Sequence, residues 1–159
     1  MGACQWFRAD KAVTNFGAEI PFVQYLGFVL ELFDGGESTI RYTPQAEHLN
    51  SFAVTHGGAC MTLLDVAMAV AARSVQKDMG VVTIEMKTSF MRPAPGDGSL
   101  LSARGRLMHR TATLAFVEAT IYDAEGQACA HSTGTFKYVR RRQSGDVELV
   151  SSTPPISTD

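Results

Sequence analysis

Hydrophobic positions along the chain change their period twice. Over residues 58–76, apolar side chains fall at 60, 63, 64, 67, 68, 71 and 75, the i, i+3, i+4, i+7 spacing of one helix face, sustained for about five turns. The flanking segments carry strand patterns instead. Residues 26–33 are rich in strand formers, Asp34-Gly35-Gly36 is a turn signal, and residues 38–43 alternate, which predicts a hairpin ended by Pro44. A polar loop over residues 45–55 then delivers the chain to the helix. Beyond the Met79-Gly80 break, residues 81–90 alternate, with Thr83, Glu85, Lys87 and Ser89 on one face and Val82, Ile84 and Met86 on the other. This predicts a strand with one buried face. The turn cluster Arg92-Pro93-Ala94-Pro95-Gly96-Asp97-Gly98 precedes three more strands over 100–108, 113–122 and 128–139, the last two joined at Asp123-Ala124-Glu125-Gly126.

Two strands, one long helix and four strands lack the regular alternation of a parallel sheet, so the expected class is α+β. A helix so poor in charge must be covered on most sides. The simplest arrangement wraps an antiparallel sheet around it and leaves the sheet edges and part of the helix in need of a partner chain. We expect an N-terminal segment over 1–25, with a short helix or two packed on the body and Pro21 as a break. The domain is expected over 26–139 and a mobile tail over 140–159, where periodicity is lost and Ser, Pro and charge rise.

Composition narrows the function classes. With 159 residues, 45% of them apolar and 19% charged, the chain suits one domain with a real core. A net charge of -2, with basic residues scattered apart from Arg140-Arg141-Arg142, gives no reason to expect nucleic acid as a partner. Cys4, Cys60 and Cys129 are odd in number and widely spaced, so they read as reduced thiols of a cytoplasmic protein rather than zinc ligands. The opening MGACQWFRADK has no apolar stretch of the kind a secretion signal carries, and the longest apolar run is too short to span a bilayer. The expectation is therefore neither export nor a membrane anchor.

The helix carries the candidate chemistry. Between His56 and Arg73 its one formal charge is Asp65, and a carboxylate there costs several kcal/mol to desolvate unless something pairs with it or uses it. Gly57 and Gly58 at the helix start allow close backbone approach and leave N–H groups at the positive end of the helix dipole. Such groups suit a carbonyl oxygen that develops negative charge, so the pair of features suggests acyl chemistry. Eight residues separate Gly57 from Asp65, or about 12 Å along a helix. One carbonyl cannot touch both. If both act on one atom, Asp65 must come from a second, antiparallel copy of the helix, which argues for two equivalent sites across a two-fold dimer.

At these spacings the residues match a known family. Asn50, the His56-Gly57-Gly58 opening, Asp65 nine positions after His56, and Thr83-Ile84-Glu85-Met86-Lys87 followed by Arg92-Pro93-Ala94 resemble the hotdog-fold acyl-CoA thioesterases of the phenylacetate-pathway (PaaI-like) branch of the 4-hydroxybenzoyl-CoA thioesterase superfamily. The likeness runs from about residue 26 to residue 139. It implies a hotdog fold, a homodimer with a continuous sheet, often paired into a homotetramer, and hydrolysis of an acyl-CoA to free acid and CoA.

The resemblance further implies that Asp65 is nucleophile or general base and that the Gly57 N–H polarises the thioester carbonyl. His56 would help fix the loop and the thioester, Asn50 the reacting water, and Thr83 would stand near the carboxylate on the same protomer. Two positions depart from the pattern. Ala53 stands where a glycine is common, and Arg110-Thr111-Ala112 replaces a Gly-Lys or Gly-Arg turn, so a contact to CoA phosphates falls to Arg110 or Arg92. Met61 and Met68 are candidates for an apolar acyl pocket. Neither a metal nor an organic cofactor is expected. Two competitors stay open: an acyl-CoA-binding regulator without turnover, and a hotdog dehydratase of hydroxyacyl thioesters. His48, His109 and His131 carry no spacing signal.

Overall fold

The computed structural model describes residues 16–140. The tail expected from residue 141 onward, the helical stretch expected before residue 16, and Cys4 lie outside the described residues. Within them the chain forms α1 (Pro21–Leu26), β1 (Val29–Asp34), β2 (Glu37–Tyr42), a 3-10 turn (Ala46–His48), α2 (Gly57–Ser74), β3 (Met79–Phe90), β4 (Leu101–Arg110), β5 (Leu114–Tyr122) and β6 (Ala128–Arg140). The strands make one sheet in the order β1-β2-β4-β5-β6-β3, with every neighbouring pair antiparallel. This is the α+β architecture that the order of elements predicts.

Helix α2 lies in the concave face of that sheet and touches all six strands. Leu63, Leu64, Ala67, Met68, Ala71 and Ala72 are fully enclosed, opposite Ile40, Leu101, Ala103, Val117, Ile121 and Phe136. Each enclosed leucine-sized side chain contributes about 2 kcal/mol of transfer free energy. The approach is close because β4 carries a glycine where the helix crosses it. A Cβ on Gly105 would stand 2.5 Å from the Ala67 carbonyl oxygen and 2.5 Å from Ser38 Oγ. The Ser38 hydroxyl itself donates to the Ala67 carbonyl at 2.7 Å, tying sheet to helix.

Two expectations are corrected. Pro21 is not a break: it occupies the first turn of α1, where its missing N–H costs nothing, and the helix ends at Gly27 in the left-handed region at φ 72. Leu26 is accordingly the last helical residue rather than the first of a strand. The second correction concerns β3. Thr83 pairs with Phe136, yet Glu85 pairs with the adjacent Thr135, so Ile84 is an extra residue and the alternation breaks there. Thr83 shares the helix-facing side with Phe136, whereas Glu85 lies on the outer side with Thr135. Nor does β3 bury one face in this chain, because it is an edge strand that leaves Val82 48% and Ile84 55% exposed.

Candidate active site

The loop ahead of α2 is held on both sides. Asn50 Oδ1 accepts from the Phe52 N–H at 2.9 Å and the Val54 N–H at 3.3 Å, the local side-chain-to-backbone bonding that favours Asn in turns. Thr55 donates its N–H to the Ala94 carbonyl and its hydroxyl to the Pro95 carbonyl at 2.6 Å. Gly96 completes the seat, since any Cβ there would clash with the Ala53 carbonyl oxygen and Leu49. Ala53 adopts φ 56, which makes it the one non-glycine residue in the left-handed region among the described residues. That conformation costs an alanine about 1 kcal/mol. Ala53→Gly is expected to raise stability by about 0.5–1 kcal/mol in urea denaturation, and an unchanged or lower midpoint would show that the turn is not strained.

His56 caps α2. Its Nδ1 accepts from the Gly58 N–H at 2.8 Å, so Nδ1 is unprotonated and the ring proton of the neutral imidazole lies on Nε2. The Cys60 N–H is taken by the His56 carbonyl. The Gly57 N–H, at the first helical position, has no acceptor inside the helix and stands at the positive end of its dipole. Gly57 helps line a pocket of about 370 Å³, together with Asn50, Thr55, Cys60, Phe90 and Arg92. That volume is within the range of small-molecule sites. With Asn50 Oδ1 accepting both of these loop bonds, the hydrogen-bonding group that remains on its side chain is the NH₂, a donor.

Asp65 does not line this pocket. It is half-buried, and the Thr83 hydroxyl donates to its Oδ1 at 2.7 Å. Burial pushes its carboxyl above the ordinary value of 3.8, and the Thr83 hydrogen bond offsets only part of that rise. Gly58, Met61, Thr62, Asp65, Val66 and Ala69 form a stripe along α2 that the sheet leaves wholly or partly uncovered. Asp65 sits in the middle of that stripe.

The comparisons follow the same outline. Residues 52–130 match the family described as the Thioesterase superfamily. The chain belongs to that superfamily. It is a hotdog-fold thioester hydrolase. Protein PA5202 of Pseudomonas aeruginosa superposes with a TM-score of 0.71 at 27% identity, over 76% of this chain and 95% of that one. The PaaI protein from the phenylacetic acid degradation operon of E. coli shares the fold at a TM-score of 0.69 and 24% identity, over 74% of this chain and 83% of its own. SSO1253 of Saccharolobus solfataricus, provisionally named an esterase, is 25% identical over 127 residues, covering 80% of this chain and 83% of its own.

Mapped on this thioesterase, the candidate residues fall into two groups. Asn50, Gly57 and Arg92 line the pocket, with His56 and Gly58 joined by the cap beside it. Asp65 and Thr83 form the second group, further along α2. Met61 is 39% exposed on the uncovered stripe, whereas Met68 is fully enclosed in the core, its Cε 3.2 Å from where a Cβ on Gly134 would stand. Met68 is thus a packing residue in this chain and no part of the pocket wall.

The two arginines are also far apart. Arg92, which donates to Gln127 Oε1 at 2.7 Å, follows the end of β3, where Phe90 pairs with Ala130. Arg110 shares a cross-strand row with Ala115, Phe136 and Thr83, so it lies three strands from Thr83, or about 14 Å. The sequence reading missed Phe90 and the wall role of Cys60. Phe90 ends the β3 pattern just before Arg92-Pro93, but the bulge at Ile84 hides the face on which it falls.

Proposed function

We propose that the chain is an acyl-CoA thioesterase whose active sites form between two antiparallel copies of α2. The observation that carries this reading is the division of the site. The Gly57 N–H at the pocket and the Asp65 carboxylate are about 12 Å apart along one helix, the pocket lacks Asp65, and Asp65 occupies a face that its own sheet does not cover. The neighbouring edge strand β3, with Val82 and Ile84 exposed, supplies a surface for continuing the sheet into the partner.

In this arrangement the Gly57 N–H and the Asn50 NH₂ of one protomer donate to the thioester oxygen, which bears the charge of the tetrahedral state. Asp65 of the other protomer, held by Thr83, takes a proton from water as the water oxygen bonds to the carbonyl carbon. Alternatively, its own oxygen makes that bond and water then cleaves the anhydride. In either course the carbon–sulfur bond breaks, the CoA thiolate takes up the proton, and the acid leaves. We assign Asn50 to the carbonyl rather than to the reacting water on the grounds that its oxygen accepts two loop N–H groups and its NH₂ is the group left to donate. Arg92 at the pocket wall is the better placed of the two arginines for a CoA phosphate. Thiol release from a panel of acyl-CoAs tests the reading: turnover of at least one supports it, and a silent panel with folded, oligomeric protein would sink it.

The carboxylate also sets a pH dependence. Its folded pKa is raised, so the folded chain holds a proton that the unfolded chain has already lost, and stability falls as pH rises from 3.8 toward the raised value. Asp65→Asn, which cannot ionise, should therefore gain more in Tm at pH 7 than at pH 3. For wild-type activity, the acid limb should lie above the usual carboxylate range. Thr83→Val removes the one contact that lowers the pKa and should move that limb to higher pH; an unmoved limb would separate Asp65 from the rate.

A further inference from the structure

The Phe90 side chain stands against the residue whose N–H we assign to the carbonyl. A Cβ built on Gly57 would meet Phe90 Cζ at 3.4 Å and Cε1 at 3.6 Å. The ring edge therefore lies at van der Waals contact beside the first residue of α2, against the position a Cβ would take. Phe90 faces the helix side of the sheet through its pairing with Ala130, lines the same pocket, and remains 53% exposed. A core phenylalanine would be enclosed. This one presents ring surface to whatever occupies the pocket.

A carbonyl oxygen held by the Gly57 N–H carries its α-carbon two bonds away, so the substituents of that carbon must pass the Phe90 ring. A CH₂ or a planar ring carbon can lie along an aromatic face or edge at ordinary contact, whereas a second substituent on a tetrahedral α-carbon needs volume that the ring already fills. We infer that Phe90 is a specificity-determining residue that restricts the enzyme to acyl groups unbranched at the α-carbon, straight-chain or aryl, and turns away α-branched acids. This inference rests on the acyl-CoA reading, and it adds the substrate class to it.

The test compares matched pairs, propanoyl-CoA against 2-methylpropanoyl-CoA and phenylacetyl-CoA against 2-phenylpropanoyl-CoA, with wild type, Phe90→Ala and Phe90→Leu. One methyl group in an apolar pocket is worth about 10–200-fold. Wild type should prefer the unbranched member of each pair by about tenfold or more in kcat/KM. Phe90→Ala should bring the ratio to within about threefold of unity, with Phe90→Leu between the two. A wild type indifferent to branching, or a Phe90→Ala variant that keeps both the far-UV CD spectrum and the wild-type ratio, would overturn the assignment. Binding of the same acyl groups as non-hydrolysable CoA analogues, with CH₂ in place of the thioester sulfur, is measured in parallel by calorimetry. Discrimination in binding without turnover would fail the thioesterase reading and leave the Phe90 assignment standing, and turnover without discrimination would do the reverse. Loss of both overturns both.

Discussion

Two inactive variants, Asp65→Asn and Gly57→Pro, should restore about one quarter of wild-type turnover when co-refolded in equal amounts. The fraction follows from the two-fold site proposed above, in which a site is complete only when its Gly57 comes from an Asp65→Asn chain and its Asp65 from a Gly57→Pro chain, each with a chance of one half. Alone, Asp65→Asn should lose about 10²–10⁴-fold by removing the proton acceptor or nucleophile. Gly57→Pro should lose about 10²–10³-fold by removing one donor to the oxyanion.

Proline is the apt substitution at residue 57. It deletes the N–H at a position where the helix makes no use of it. The preceding His56, at φ -59 and ψ 137, already has the extended backbone that proline demands of its neighbour. Recovery of activity by the mixture, read as thiol release, would show that the two groups act across protomers. If both variants are folded and dimeric and the mixture stays dead, the composite site is wrong.

Gly105→Ala should be among the most damaging single methyls in the described domain. Its Cβ would stand 2.5 Å from the Ala67 carbonyl oxygen and from Ser38 Oγ, and neither can retreat without lifting α2 or breaking the 2.7 Å bond between them. Overpacking of this kind costs about 3 kcal/mol when backbone is the obstacle, which corresponds to a fall in Tm of about 6–12 °C for a chain of this size. Ala67 lies two residues from Asp65 on the same helix, so activity should fall further than the loss of folded protein explains. Calorimetry and thiol release on one preparation check both parts. A Tm within about 2 °C of wild type would mean that the helix is not seated against β4 as described.

Much of this protein could be read from the one-dimensional pattern. The period of 3.6 over α2 and the period of 2 over the strands arise from local geometry, so the order of elements and the class followed from the chain alone. The distance argument that separates Gly57 from Asp65 is equally local, since the rise of a helix is the same in any fold. Asn50, the glycine pair and Asp65 were legible for the same reason, as they are spaced along a single loop and helix.

Contacts between segments far apart in sequence decided the rest. The bulge at Ile84, which turns Thr83 toward Asp65 and hides the face of Phe90, depends on how β3 registers against β6 some fifty residues later. The burial of Met68 and the separation of Arg92 from Arg110 depend on where the sheet closes over α2 and how its strands are ordered. Asn50 could be named from its spacing, yet only the hydrogen bonds from the Phe52 and Val54 N–H groups show that its oxygen is engaged by the loop and that its NH₂ is the donor left over. Sequence determines what lies within a few residues of a side chain, and tertiary structure determines which face it shows and what meets it there, because register and packing are set by the whole sheet at once.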